Sequence, residues 1–282
     1  MSQPHPTVLV LGATGKTGSR VAADLVDRGL WVRTAARSGA DIDFDWSERA
    51  SYAPALKAVD RVYLIAPIGR LDFAADVSAF FDEAEAAGVR HVTFLSAHGM
   101  EHAPQHIATR GVELDLMGRR HLGHTILRPA WFMQNFTETF LKPIGGAITV
   151  PTGNGSEAFI DAEDIAAVAS ATLADPAAHT GAAYTLTGPE SLTVAEAAAI
   201  ITEATSHTFV HTDPDREAWI AAAVANGIPA DYGAVLRQLT ETIASGNGSR
   251  PNDTVDQVTG TPARTFRDFA RKNAAAWKEI SK

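Results

Sequence analysis

Short apolar runs alternate with helix-length segments along the first half of the chain. Thr7 to Leu11 reads as a buried strand, followed at once by a glycine-rich turn and a helix to about Arg28, which Gly29 terminates. LWVRTAAR, residues 30–37, reads as the second strand and DRVYLIAP, residues 60–67, as the third. RHVTFLSA (90–97) and HTILRPA (124–130) follow as the fourth and fifth. Between the third and fourth, FAADVSAFFDEAEAAG carries apolar residues at helical spacing and ends on Gly88. Strands separated by helices predict parallel βαβ units with right-handed crossovers. The pattern therefore predicts the α/β class, with a Rossmann-type doubly wound parallel sheet.

Past Pro129 the rhythm changes. GGAITVPTGNG (145–155) is a Gly/Pro-rich excursion, and DAEDIAAVASATLAD predicts a helix with Asp161 as N-cap and Asp164 near the third position. AAYTLTGPESLTVAEAAAIITEA predicts a strand, a turn and a helix opened by a Thr193/Glu196 capping box. From about Thr208 the pattern is mostly helical. The expected division is a nucleotide-binding domain over residues 1–150 and a smaller, mostly helical lobe over 151–282. Part of the latter, a strand and a helix, is expected to return to the first domain, and the rest to cover the substrate.

Composition narrows the function classes. A formal charge of −9 with scattered basic residues argues against a nucleic-acid face. There is no cysteine, which excludes disulfides, thiolate ligands and a cysteine nucleophile, and suits a reducing cytoplasm. No run of about eighteen apolar residues predicts a membrane span, and the amino terminus lacks a signal-peptide pattern. The expectation is a cytoplasmic protein acting on a small molecule, with a homodimer left open.

The glycine turn, VLVLGATGKTG, admits two phosphate chemistries. A triphosphatase loop needs a glycine five residues before Gly15, where Val10 sits inside the strand, and no magnesium-binding acid ends the third strand. The dinucleotide fingerprint meets its conditions: it follows a strand and opens a helix. Gly12 permits the tight exit, Gly15 lets the backbone approach a pyrophosphate, and Gly18 lets the helix lie close. Thr14, Lys16 and Thr17 complete the cradle, where helix-start amides and the helix dipole favour an anion. After the second strand stand Arg37 and Ser38, and the first acid is Asp41. A guanidinium grips a 2′-phosphate that a carboxylate would repel, so NADP is expected over NAD. Ala66, Pro67 and Ile68 are expected on the adenosine side, and Ser96, Ala97 and His98 near the nicotinamide.

GATGKTG, LSAHG, TILRPAWFMQNF, FIDAEDIA and the closing RTFRDFARKNAAAW together resemble the NmrA-like group of atypical short-chain dehydrogenases. DFDWSERASYAPALKAVDRVYLIAP is similar to bacterial relatives of the ergot-alkaloid dehydrogenases. The resemblance covers nearly the whole chain. It implies a group that mixes quinone, azo-dye and iminium reductases with NADP-sensing regulators lacking turnover.

Ordinary short-chain dehydrogenases use a serine and a Tyr-x-x-x-Lys set at the substrate oxygen. Ser96 matches the serine, but none of Tyr52, Tyr63, Tyr184 and Tyr232 lies in the following helix. A carbonyl that accepts hydride becomes an alkoxide and needs an acid, whereas an iminium becomes a neutral amine and a quinone a stabilised phenolate. The expectation is reduction of a flat, electron-poor quinone, azo compound or cyclic iminium. Ser96 and His98 are the catalytic candidates, with His98 also a substrate contact, and no metal is expected from His98, His102 and His106. Trp131, Phe132, Met133 and Asn135 are expected to face the substrate, or else to anchor the smaller lobe. The rival expectations are a cofactor-sensing regulator acting through protein contacts and, more weakly, a carbonyl reductase using a distant lysine.

Overall fold

The apolar run before the glycine turn forms β1 (Thr7–Leu11). Val8, Leu9 and Val10 are wholly buried, as a strand covered on both faces requires. The structure, a computed structural model, describes residues 6–67 and 69–278. After β1 come α1 (Gly18–Asp27), β2 (Trp31–Ala36), β3 (Ile42–Asp43), α2 (Tyr52–Leu56), β4 (Arg61–Ile65), α3 (Ala74–Ala87), β5 (His91–Leu95), α4 (Ala108–Gly118) and β6 (Gly123–Pro129). The chain continues through α5 (Asn135–Glu138), β7 (Ala147–Thr149), β8 (Ser156–Glu157), α6 (Ala162–Ala174), α7 (Pro176–His179) and β9 (Ala182–Leu186). It closes with β10 (Leu192–Thr193), α8 (Val194–Thr205), β11 (Val210–Thr212), α9 (Arg216–Ala225), α10 (Gly233–Ala244), α11 (Thr254–Thr259), α12 (Phe266–Lys272) and α13 (Ala274–Lys278).

Seven strands pair in the order β3-β2-β1-β4-β5-β6-β9, every pair parallel. The expected doubly wound sheet is thus present. The chain works outward from β1 to β3, then returns to β1's other side for β4. The strand order reverses there, and such a switch point opens a crevice beyond the strands' carboxyl ends. The glycine turn leaves β1 at that point.

Two compact units divide the chain. One runs to Pro129 and adds Ala162–Leu186 and Val258–Gly260; the other holds Ala130–Asp161, Thr187–Gln257 and Thr261–Lys282. A single cut after residue 150 does not describe this division. The segment after β6 leaves the first unit at Ala130, and α6, α7 and β9 return to it.

Each unit has its own aromatic core. In the first, Phe44, Trp46, Tyr52 and Phe80 meet with ring centroids 5.0–5.8 Å apart. Such pairs add about 0.5–1.5 kcal/mol each beyond area burial. In the second, Phe136, Phe159, Phe266, Phe269 and Trp277 form the chain of rings. Trp277 Nε1 donates to Phe136 O at 2.8 Å, tying the closing helices to the segment after β6. The capping box of α8 is complete: Glu196 N–H donates to Thr193 Oγ1, and Thr193 N–H to Glu196 Oε2. The excursion after Gly145 and the stretch after Thr208 hold β7 and β11, three-residue strands that pair in parallel. Strands that short carry no readable alternation, which is why they do not show in the sequence pattern.

Candidate functional site

Gly12 leaves β1 at φ +64°, a backbone setting that a side chain resists. Gly15 N–H then donates to Gly12 O at 2.9 Å and closes the turn, and Ser19 N–H donates to Gly15 O. A Cβ on Gly18 would lie 2.2 Å from Gly12 O and 2.7 Å from Gly12 C. The third glycine therefore lets the helix start press on the turn's own backbone, and no other residue fits. Thr17 and Gly18 are buried, while Thr14 and Gly15 are exposed at the rim. Arg20 holds Lys16 O at 2.5 Å. A turn so tightly closed on itself, opening directly into a helix N-terminus, fits a diphosphate and has no space for a wider triphosphate loop.

The end of β2 lies beside this turn. A Cβ on Gly39 would meet Thr14 Cγ2 at 3.6 Å, so residues 37–39 and the cradle are neighbours. Arg37 and Ser38 are both exposed there. Asp41, the first acid after the strand, is engaged elsewhere: it accepts from Thr34 N–H at 2.9 Å and from the Thr34 hydroxyl at 2.8 Å. These hydrogen bonds hold its carboxyl below the usual range. On the other side of β1, Ile65 Cδ1 would lie 3.2 Å from a Cβ on Gly12, which places the end of β4 against the turn. Ala66 and Pro67 follow it, half-buried; Ile68 lies outside the described residues.

At the end of β5, Ser96 is buried and donates its hydroxyl proton to Glu113 Oε1 at 2.6 Å. Glu113, on α4, is wholly buried and also accepts from Arg110 Nη1 at 2.6 Å. Arg128, near the end of β6, completes the set with Nε and Nη2 each at 2.8 Å. Glu101 Oε2 lies 3.6 Å from Arg128 Nε. Burial alone would raise the Glu113 pKa; the hydrogen bonds from Arg128, Ser96 and Arg110 outweigh it and hold the carboxyl below its ordinary value. The loop above is fixed to the sheet as well, with Ser96 N–H on Leu127 O and His98 N–H on Pro129 O. Ala97 is exposed and His98 half-buried. Sequence reasoning missed Glu113 and Arg110. The signal was Arg128, a cation inside an apolar strand, which demands a buried counter-charge.

In the second unit, Trp131, Phe132 and Asn135 are half-buried. Met133 is wholly buried and packs with Phe136, Leu141 and Ile148, so it offers no surface to a ligand. This segment is laced to residue 160: Ile160 N–H donates to Trp131 O and Met133 N–H to Ile160 O. Glu157, also missed, is wholly buried beneath it and has no sequence signal. Among the described residues no group of three or more His, Cys, Asp or Glu could hold a metal ion, and no helix is long and apolar enough to cross a membrane.

A sheet ordered 3-2-1-4-5-6, with a closed glycine turn at its switch point, defines a Rossmann-type dinucleotide-binding domain. The chain belongs to the NAD(P)H-binding family, whose pattern matches residues 12–176. It is 38% identical to the Bacillus subtilis oxidoreductase YesF over 98% of both chains. Festuclavine synthase II of Penicillium roqueforti and the NAD(P)H azoreductase of Xenophilus azovorans are each 31% identical, over 96% of this chain and 99% of theirs. In fold it matches the triphenylmethane reductase of Citrobacter sp. with a TM-score of 0.80 at 20% identity, covering 95% of this chain and 99% of that one. It also matches the Escherichia coli NADPH-dependent quinone oxidoreductase in complex with NADPH, with a TM-score of 0.77 at 22% identity over 94% and 99%. The regulator NmrA in complex with NAD matches with a TM-score of 0.76 at 16% identity, over 98% of both chains. The curated relatives bear out the similarity to the ergot-alkaloid dehydrogenases, and the solved structures bear out the fold.

Proposed function

We propose that the protein is an NADPH-dependent oxidoreductase that reduces a flat, electron-poor small molecule: a quinone, an azo compound or a cyclic iminium. The single observation that carries the choice of acceptor is the Ser96–Glu113 hydrogen bond. Ser96 stands where a short-chain dehydrogenase keeps its serine, but its proton is committed to an ionised carboxylate. On α4, Glu113 and Arg110 are locked in the same ion-pair cluster. Nothing in that cluster has a proton to give. Acceptors whose reduction leaves a neutral amine or a stabilised phenolate suit such a site, because they need no strong acid. The azoreductase relative supports one of these classes.

The cofactor's reduced nicotinamide supplies the hydride. The chain's own residues bind and orient. Gly12, Thr14, Gly15, Lys16, Thr17 and Gly18 hold the diphosphate through main-chain amides and the α1 dipole, and Ala66 and Pro67 border the adenosine. Arg37 and Ser38 take the 2′-phosphate. Asp41, the first acid after β2, has its Oδ2 held by the Thr34 amide and hydroxyl. Ser96 and Ala97 would border the nicotinamide, and His98 is the imidazole that would hydrogen-bond an acceptor. Trp131, Phe132 and Asn135 are the side chains assigned to an acceptor's flat face.

The test is NADPH oxidation with a panel of quinones, azo compounds and cyclic iminium salts. Turnover of at least one class is expected. Tight NADPH binding without turnover of any would overturn the reductase reading and leave a cofactor sensor that works through protein contacts.

A further inference from the structure

Glu157 sits in β8, wholly buried. Its Oε1 receives a long contact of 3.5 Å from Trp131 N–H, and its Oε2 is buried with no hydrogen-bond partner. Gly248 rests directly on the carboxyl: a Cβ there would lie 2.1 Å from Oε2 and 2.2 Å from Oε1. Gly248 O in turn accepts from Ala158 N–H at 2.9 Å, and Glu157 pairs with Leu192 across to β10. The carboxyl is therefore the meeting point of the Trp131 backbone, β8 and the Gly246–Ser249 turn. Trp131, Ala158, Leu192 and Gly246 to Ser249 bring no ionisable side chain to it, and α10, which also packs on β8, carries Arg237 and Glu241, paired with Glu217 and Arg216 of α9. Burial pushes the Glu157 carboxyl up to about 7, opposed only by Trp131 N–H. A neutral acid can occupy such a place, whereas an ionised one without a cation must draw in water or displace its neighbours.

We propose that Glu157 is a positioning residue for the acceptor: undissociated, it seats Trp131 against the Gly246–Ser249 turn and sets the aromatic wall that a ligand meets. Ionised, it unseats that wall. The inference rests on the reductase reading, since the acceptor is the ligand assigned to Trp131. It goes beyond that reading by making acceptor recognition depend on one buried proton.

Two readouts separate this inference from the reductase reading. The first is acceptor KM and kcat between about pH 5.5 and pH 8.5, for the wild type and Glu157→Gln, an isostere of the neutral acid. The second needs no acceptor: the emission of Trp131, taken as the difference between each protein and its Trp131→Phe counterpart, over the same range. In the wild type, KM is expected to rise on the order of tenfold per pH unit above neutrality, as the competent fraction falls, with kcat nearly constant. Trp131 emission should shift along the same curve. Glu157→Gln should be flat in both and match the wild type at acid pH. A Glu157→Gln profile that follows the wild type overturns the inference, and so does a wild-type Trp131 emission that does not titrate, whether or not the variant folds. A wild type that reduces no acceptor, while its Trp131 emission titrates and that of Glu157→Gln does not, refutes the reductase reading and supports the positioning role.

Discussion

Glu113 and Glu157 are both wholly buried glutamates, one in each unit, and they have opposite characters. Glu113 accepts four hydrogen bonds from two guanidinium groups and a hydroxyl, and stays ionised. Glu157 has one long contact to a backbone amide, and keeps its proton to about pH 7. Burial is the same; the partners decide. In the first unit, the buried charges at the end of the sheet are thus paired with one another. The second contains an acid whose state changes near neutrality.

The sharpest way to break this comparison is Glu113→Gln. Removing the carboxylate leaves Arg110 and Arg128 facing a neutral amide, and breaking a buried pair in this way costs about 3–5 kcal/mol. Urea unfolding at neutral pH should show a loss of that size. A wild type that loses stability on acidification below about 4.5, the ordinary glutamate value, would agree. The native pKa lies below the unfolded one, so the stabilisation is present above that value and fades as pH falls.

Glu157→Gln should act with the opposite sign. The unfolded chain releases this proton near 4.5 and the native chain near 7, so the wild type loses stability as pH rises between those values. At about pH 8 the variant should be the more stable by roughly 3 kcal/mol, with no difference at about pH 4.5. Thermal melts at the two pH values check it. Equal melting at both would erase the contrast between the two glutamates.

Arg37→Ala tests the exposed charge of the first unit against its buried ones. A charge-assisted hydrogen bond of about 1.5–3 kcal/mol corresponds to a ten- to hundredfold loss of NADPH affinity, with NADH affinity unchanged. Fluorescence titration with each nucleotide reads it. The smallest effect serves as the control in Glu157's own unit. Thr193→Ala removes the α8 cap at a cost of about 1 kcal/mol, and by urea unfolding that cost should be the same at about pH 6 and pH 8.

Much of this arrangement was legible in the sequence, for physical reasons that differ by element. The first five expected strands appear within a residue or two, because buried parallel strands are short apolar runs between turn residues. The capping box of α8 was readable because Thr193 and Glu196 are local partners. The glycine turn was readable because its spacing reflects a steric need, which Gly18 demonstrates against Gly12 O. What escaped is non-local or very short. β3, β8 and β10 are two residues long and take their pairing from elsewhere in the chain. Met133 looked like ligand surface because a local pattern cannot tell a core-facing side chain from one that faces a cleft. Glu113 meets Ser96 and Arg128 only once α4 packs on β5 and β6. Glu157 meets Gly248 across ninety residues of chain, and no spacing announces that.

Calorimetric titration of the folded protein with NADPH, and in parallel with NADH, tests the central claim most directly. The closed turn between Gly12 and Gly18, with Arg37 beside it, predicts that NADPH binds at least about tenfold tighter than NADH. No heat from either nucleotide would contradict the assignment of this turn as a diphosphate cradle.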